Sequence, residues 1–251
     1  MPKQISQIVK LKGTFDELTF YETQDGYLAR KKGGVNGDRI RNDAAFQNTR
    51  YNGMEFGRAG KSGKLFRLVW ANEMNKAKDG RVVSRIAQLM VKALQADPVN
   101  DWGQRSVTQG DLTVLTGLNF NIDAPLDVVL QWRYEPAINR ATGVCTMPLP
   151  SFVPEKDVIA PDGATHYSFF GAAAAINFDT GVIIASRVSA PYELYNKTAT
   201  VAGNMSLSIL PNSTDPIFLV FGIEFVRLLN GKQYPLSKNQ SSLQVVAVDL
   251  P

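Results

Sequence analysis

The chain has 251 residues, 44% of them hydrophobic, 20% charged and 10% aromatic, a composition that buries a core and excludes global disorder. A single cysteine, Cys145, and a single histidine, His166, exclude an intrachain disulfide, a thiolate zinc site and any site built on several histidines. Of 27 Lys and Arg and 23 Asp and Glu, residues 1–95 hold 18 basic and 9 acidic ones, so the front of the chain is basic and the remainder acidic.

Residues 1–37 read as a small β arm. Gln4 to Leu11 brings apolar Ile5, Ile8 and Leu11 among polar residues, and residues 18–21 (LTFY) are β-prone. Asp25-Gly26 then lies between that run and residues 27–30 (YLAR), which predicts a hairpin. The arm ends in Arg30, Lys31, Lys32, Gly33 and Gly34, a run that serves either as a solvated joint or as an electrostatic contact.

Residues 38–98 read as a short, basic helical segment. Asn42 is placed to cap a helix whose first turn holds Asp43. Ala45, Phe46, Met54, Phe56, Leu65, Phe66, Val69, Trp70 and Met74 supply an apolar face. Gly53, Gly57, Gly60 and Gly63 each cost about 1 kcal/mol against alanine inside a helix. Their spacing predicts two shorter helices broken near Gly57–Gly63, or else a face where another backbone approaches closely. After Asp79-Gly80, a cleaner stripe of Val82, Val83, Ile86, Leu89, Met90, Ala93 and Leu94 predicts a helix, ended by Asp97-Pro98.

From residue 99 to 251 the period changes to two. Strands are predicted around residues 112–122, 126–134, 144–147, 166–170, 182–185, 205–210, 217–228 and 243–248, with turn residues between them. The expected fold is therefore α+β: an N-terminal β-hairpin arm, a short helical segment, and a C-terminal antiparallel β-sandwich of immunoglobulin-like type.

Few residues invite chemistry. Gly60-Lys61-Ser62 lacks the earlier glycine and the preceding strand of a phosphate-binding loop. Asp179-Thr180-Gly181 matches the aspartic-protease triplet but also the residues of a tight turn, and one copy per chain would require a symmetric dimer. Cys145 reads as a small core hydrophobe, and His166 as an ordinary histidine. Asn196 and Asn212 open glycosylation triplets, but residues 1–15 (MPKQISQIVKLKGTF) hold no apolar run of the kind signal peptides use. A cytoplasmic location is expected, with release as part of a particle left open. No window approaches the about 18 apolar residues of a membrane span. No enzyme activity, cofactor, metal or small-molecule substrate is expected.

Residues 13–35 (GTFDELTFYETQDGYLARKKGGV) and 41–65 (RNDAAFQNTRYNGMEFGRAGKSGKL) resemble a group of uncharacterised proteins of Bacteroidetes-type bacteria. Residues 79–85 (DGRVVSR) and 211–225 extend the resemblance along most of the chain. It implies no catalytic residue.

The leading expectation is a structural protein that assembles with copies of itself into a tube, filament, sheath or phage-like shell, using its arm and helices. The alternative is a nucleic-acid- or anion-binding module, because clustered cations interleaved with aromatics can hold phosphates and stack on bases. Both readings use the same candidate surface: Arg30, Lys31, Lys32, Arg39, Arg41, Arg58, Lys61, Lys64, Arg81, Arg85 and Lys92. A third, a ligand- or carbohydrate-binding sandwich, has only Trp102, Trp132 and Tyr134 to suggest it, and these suit a core better.

Overall fold

A computed structural model describes residues 3–5, 9–31, 33–237 and 240–251. Ile8 and Lys32, which carried two of the expectations above, lie outside the described residues. The chain divides into two compact units, Met1–Arg50 and Tyr51–Pro251. That boundary falls inside a long helix rather than at residue 37 or 98.

The first unit is an antiparallel meander of β1 (Gly13–Phe15), β2 (Leu18–Thr23) and β3 (Gly26–Lys31). The predicted hairpin at Asp25-Gly26 is present, with Thr23 paired to Gly26 and Glu22 to Tyr27. A second tight turn, Asp16-Glu17, joins Phe15 to Leu18, and Asp16 takes a positive φ that aspartate tolerates better than most residues. Helix α1 (Gly37–Asn42) is capped by Asn36, whose side chain accepts from the Asp38 N–H. Asn42 is thus the last residue of that helix and not a cap; Asp43 instead caps a 3-10 turn over Ala44–Phe46. None of the described residues up to Arg50 is buried.

Helix α2 runs unbroken over Gln47–Val69, straight through the four glycines. The predicted break fails because Ala59, Phe66 and Val69 bury one side of the helix, and packing outweighs propensity. Of the glycines, only Gly63 meets a neighbour: a Cβ there would lie 3.5 Å from Ile86 and 3.6 Å from Met90. Helix α3 (Ala71–Lys76) follows, then α4 (Val82–Gln95), which buries Val82, Ile86, Met90, Ala93 and Leu94 much as the stripe predicted. Val83 departs from that stripe and faces outward.

Two predicted strands are absent. Residues 112–122 form a 3-10 turn (Leu112–Leu115) and then an irregular stretch, and residues 126–129 form the one-turn helix α5 (Leu126–Val129). The remaining strands are β4 (Ala137–Asn139), β5 (Val144–Leu149), β6 (His166–Ile176), β7 (Ile183–Ser189), β8 (Glu193–Leu194), β9 (Gly203–Ser208), β10 (Ile217–Leu229), β11 (Lys232–Pro235) and β12 (Ser242–Asp249). A second short helix, α6 (Pro154–Asp157), lies between β5 and β6.

All pairings are antiparallel. β6 and β10 pair from Ile217↔Ala175 to Val226↔His166 and form the middle of the larger sheet. Its flanks are β7 and β8 on the β6 side and β12 and β11 on the β10 side. β4, β5 and β9 make a second, three-stranded sheet. The larger sheet is covered on both faces. Phe170, Ala172, Ala174, Phe218 and Val220 join Phe66, Trp70, Ile86 and Met90 of the helices in one core. Phe169, Ala173, Ala175, Leu219 and Phe221 join Cys145, Met147, Met205 and Leu207 of the small sheet in the other. Double burial explains why residues 169–176 (FFGAAAAI) show no polar alternation. The chain is α+β, and two of its layers are stacked antiparallel sheets, but the pairing does not establish an immunoglobulin-like strand order. The helices share a core with the larger sheet instead of forming a separate layer outside it.

Candidate interaction surface

The sequence-predicted cations divide by what their side chains already hold. In the first unit, Lys31 pairs with Glu17 (2.8 Å), Arg39 with Asp43 (3.0 Å) and Arg41 with Asp38. Arg30 lies over the Tyr21 ring, 5.7 Å from its centroid. The four cations are all exposed, so each local pair is a weak contact that salt readily screens. The Ala45 N–H and the Arg39 guanidinium hold the Asp43 carboxyl below the usual carboxylate range.

In the second unit, Arg85 is committed to the interior. Its guanidinium donates to both Asp79 oxygens, Nη1 at 3.0 Å and Nη2 at 2.5 Å, and to the Asn119 and Phe120 carbonyls. Burial would raise the Asp79 carboxyl, but Arg85 and the N–H groups of Ile122 and Arg81 outweigh it and hold it low. Arg85 is therefore a structural cation, contrary to its placement on the anion surface. Arg58 is partly committed too, donating to the Arg105 carbonyl (3.0 Å) and Gln104 Oε1 (3.1 Å). Arg81, Lys61, Lys64 and Lys92 are exposed.

The outward sides of α2 and α4 hold features that sequence reasoning missed. α4 contains no carboxylate, and the one in α2, Glu55, is buried. Glu55 accepts from Arg105 Nε (2.7 Å) and Nη2 (2.8 Å) and from the Gly103 N–H (2.8 Å). The Arg105 hydrogen bonds hold its carboxyl below its usual range despite burial. Phe56 and Met54, expected to face the core, are instead 65% and 45% exposed. At 100° per residue, Phe56 lies about 60–100° from the buried Glu55, Ala59 and Phe66 but only about 20° from the buried Gly63, so it sits at the edge of the buried side and a helical projection does not single it out. Phe56, Ala87, Val91 and Lys92 line a groove of about 590 Å3. Gly53, Gly57 and Gly60 open onto empty space on the same helix.

The remaining candidates resolve into structure. Gly60-Lys61-Ser62 is mid-helix, with no loop for a phosphate to enter. Asp179-Thr180-Gly181 turns the chain between β6 and β7: Gly181 takes a positive φ, and the Asp179 and Thr180 N–H groups donate to Asn177 Oδ1. Cys145 is buried, which pushes its thiol up to about 11. His166 Nδ1 lies 2.9 Å from Thr165 Oγ1 at the start of β6. Trp132 stacks on Phe152 (4.5 Å between centroids), and Trp102 meets Tyr51 edge-on. Among the described residues, no three His, Cys, Asp or Glu cluster as a metal site, and no helix is long and apolar enough to cross a membrane.

These observations define a class by architecture: an α+β protein whose antiparallel sheet is covered by helices on one face and a small sheet on the other. No protein-family model, curated protein or solved structure matches this chain.

Proposed function

We propose that this chain is a non-enzymatic structural subunit that assembles with copies of itself into a tube, filament, sheath or phage-like shell. One observation carries the reading. The first unit has a three-stranded sheet and a helix, yet none of its described residues is buried, and Ile5 and Phe15 are 88% and 78% exposed. A sheet this small needs a covered apolar face to be stable. A neighbouring copy supplies that cover in an assembly, and short β arms of this kind suit strand addition.

The competing reading, an anion- or nucleic-acid-binding module, has the carboxylate-free outer sides of α2 and α4 in its favour. It is weakened because Arg85 and Arg58 already have partners within the chain.

The test is negative-stain electron microscopy of the full chain with light scattering at about 50 and 500 mM salt, a range over which contacts between exposed charges are screened. Ordered tubes, rings or shells at low salt are expected. A monomer at high concentration under both conditions would overturn the assembly reading.

A further inference from the structure

The groove between α2 and α4 has two properties that constrain its occupant. It is an open groove of about 590 Å3 in which Phe56, Ala87 and Val91 supply the apolar lining and Ser84, Gln88 and Gln95 the neutral polar one. Lys92 is the charged residue that lines it, and neither α2 nor α4 presents an exposed carboxylate. The matching ligand therefore carries apolar side chains flanked by acidic ones.

The chain itself carries such a group. The β1–β2 turn places Phe15 directly opposite Leu18, 78% and 44% exposed, on either side of Asp16 and Glu17. Both carboxylates are exposed; Asp16 faces solvent, and Glu17 also holds Lys31 at 2.8 Å across the hairpin, an exposed pair that leaves it open to a second cation. The tip is thus two apolar residues astride two negative charges, the complement of a basic-edged apolar groove.

Resting on the assembly reading above, we infer that the groove takes the β1–β2 hairpin tip of a second copy. Phe15 and Leu18 cover Phe56 and Val91, and the acidic turn faces Lys92. The tip and the groove are different surfaces, so the contact is heterologous. It propagates from copy to copy into a ring or an open helix instead of closing as a two-fold dimer.

Sedimentation velocity on the full chain at low salt tests this. Phe56→Ser removes an outward-facing side chain, so the melting temperature should hold while association falls about tenfold or more. Lys92→Glu and Glu17→Lys each place like charges together and should each weaken association about tenfold. Combined in one chain, they should restore most of it, which a merely local disturbance of the hairpin would not do. A monomeric wild type would overturn this inference and the assembly reading together. Wild-type assembly that is indifferent to all three substitutions would overturn the groove alone. Lys92→Glu that leaves association intact but releases a labelled single-stranded oligonucleotide would give the groove to nucleic acid, and the inference falls.

Discussion

Two glycines show how differently the same residue type acts. At Gly222 in β10, an added Cβ would lie 2.3 Å from the Ser242 carbonyl oxygen and 2.7 Å from Phe170 Cζ. The first is backbone in the paired strand β12, and the second is a ring closed into the core, so neither moves cheaply. Gly222→Ala should cost about 2 kcal/mol or more, as overpacking of a filled interior does. At Gly57 an added Cβ meets nothing within 4 Å, in mid-helix. Gly57→Ala should stabilise by about 1 kcal/mol. Urea unfolding with an unchanged slope reads both, and equal effects of the same sign would refute the distinction. Sequence alone could not separate them. The glycines of residues 53–63 stand out by their spacing, whereas Gly222 lies in an apolar run and owes its role to a strand 20 residues onward.

At the scale of elements, legibility followed how locally each element is determined. β10 and β12 are readable because long apolar runs bounded by turn residues have few other uses, whereas the expected strand at 166–170 covers only the first part of β6 (His166–Ile176). Residues 126–134 do not form the predicted strand; the buried Leu126, Val129 and Leu130 stand three and four apart, which is helical spacing. Residues 117–120 were closer to the truth. Gly117 and Phe120 donate to the Val245 and Leu243 carbonyls along β12, but the 3-10 turn before them prevents a regular strand. The start of α4 depends on an ion pair with no sequence signature. Asp79 accepts from the Arg81 N–H (2.6 Å) and from Arg85, fixing the turn that leads into the helix. Asp79 is buried and Arg85 largely so, which makes breaking this pair expensive. Arg85→Met should destabilise by about 3 kcal/mol, because a buried carboxylate is left without its cation. Lys92→Met, on the exposed side of the same helix, should stay within about 0.5 kcal/mol of wild type. Thermal melts of the two variants check this, and a tolerant Arg85 would return that residue to the outer surface.

Across the whole molecule, the basic front of the sequence suggests a cationic surface, yet Arg58 and Arg85 of that front are spent on positioning the chain, and so are arginines of the acidic remainder. Arg105 on Glu55, Arg187 on Glu73 and Arg140 on Asp249 each join segments at least 50 residues apart, pairings that no local pattern announces. Asp97 illustrates the same point for carboxylates. In the sequence it reads as a helix stop beside Pro98. In the fold its two oxygens collect the Val99 N–H (2.8 Å), the Asn100 N–H (3.1 Å), Asn100 Nδ2 (2.8 Å) and the Ser106 N–H (2.8 Å). Burial would raise this carboxyl, but the four donors outweigh it and bring it down from 3.8 to about 2. Glu55 holds the other end of the same loop through Gly103 and Arg105, and it too lies low. The sign of the pH effect follows. Asp97 binds its proton more weakly in the folded chain than in the unfolded one, so acid favours unfolding. Its contribution is full above about pH 4 and is lost as the pH falls towards about 2, amounting to about 2 kcal/mol. Asp97→Asn should lower stability at neutral pH by about 1–3 kcal/mol, since an amide cannot accept from all four donors. It should also flatten the fall in stability between about pH 4 and 2. Chemical denaturation across that range separates the two effects. A variant that is less stable but keeps the wild-type acid slope would show that other carboxyls, Glu55 and Asp79 first among them, carry the acid sensitivity.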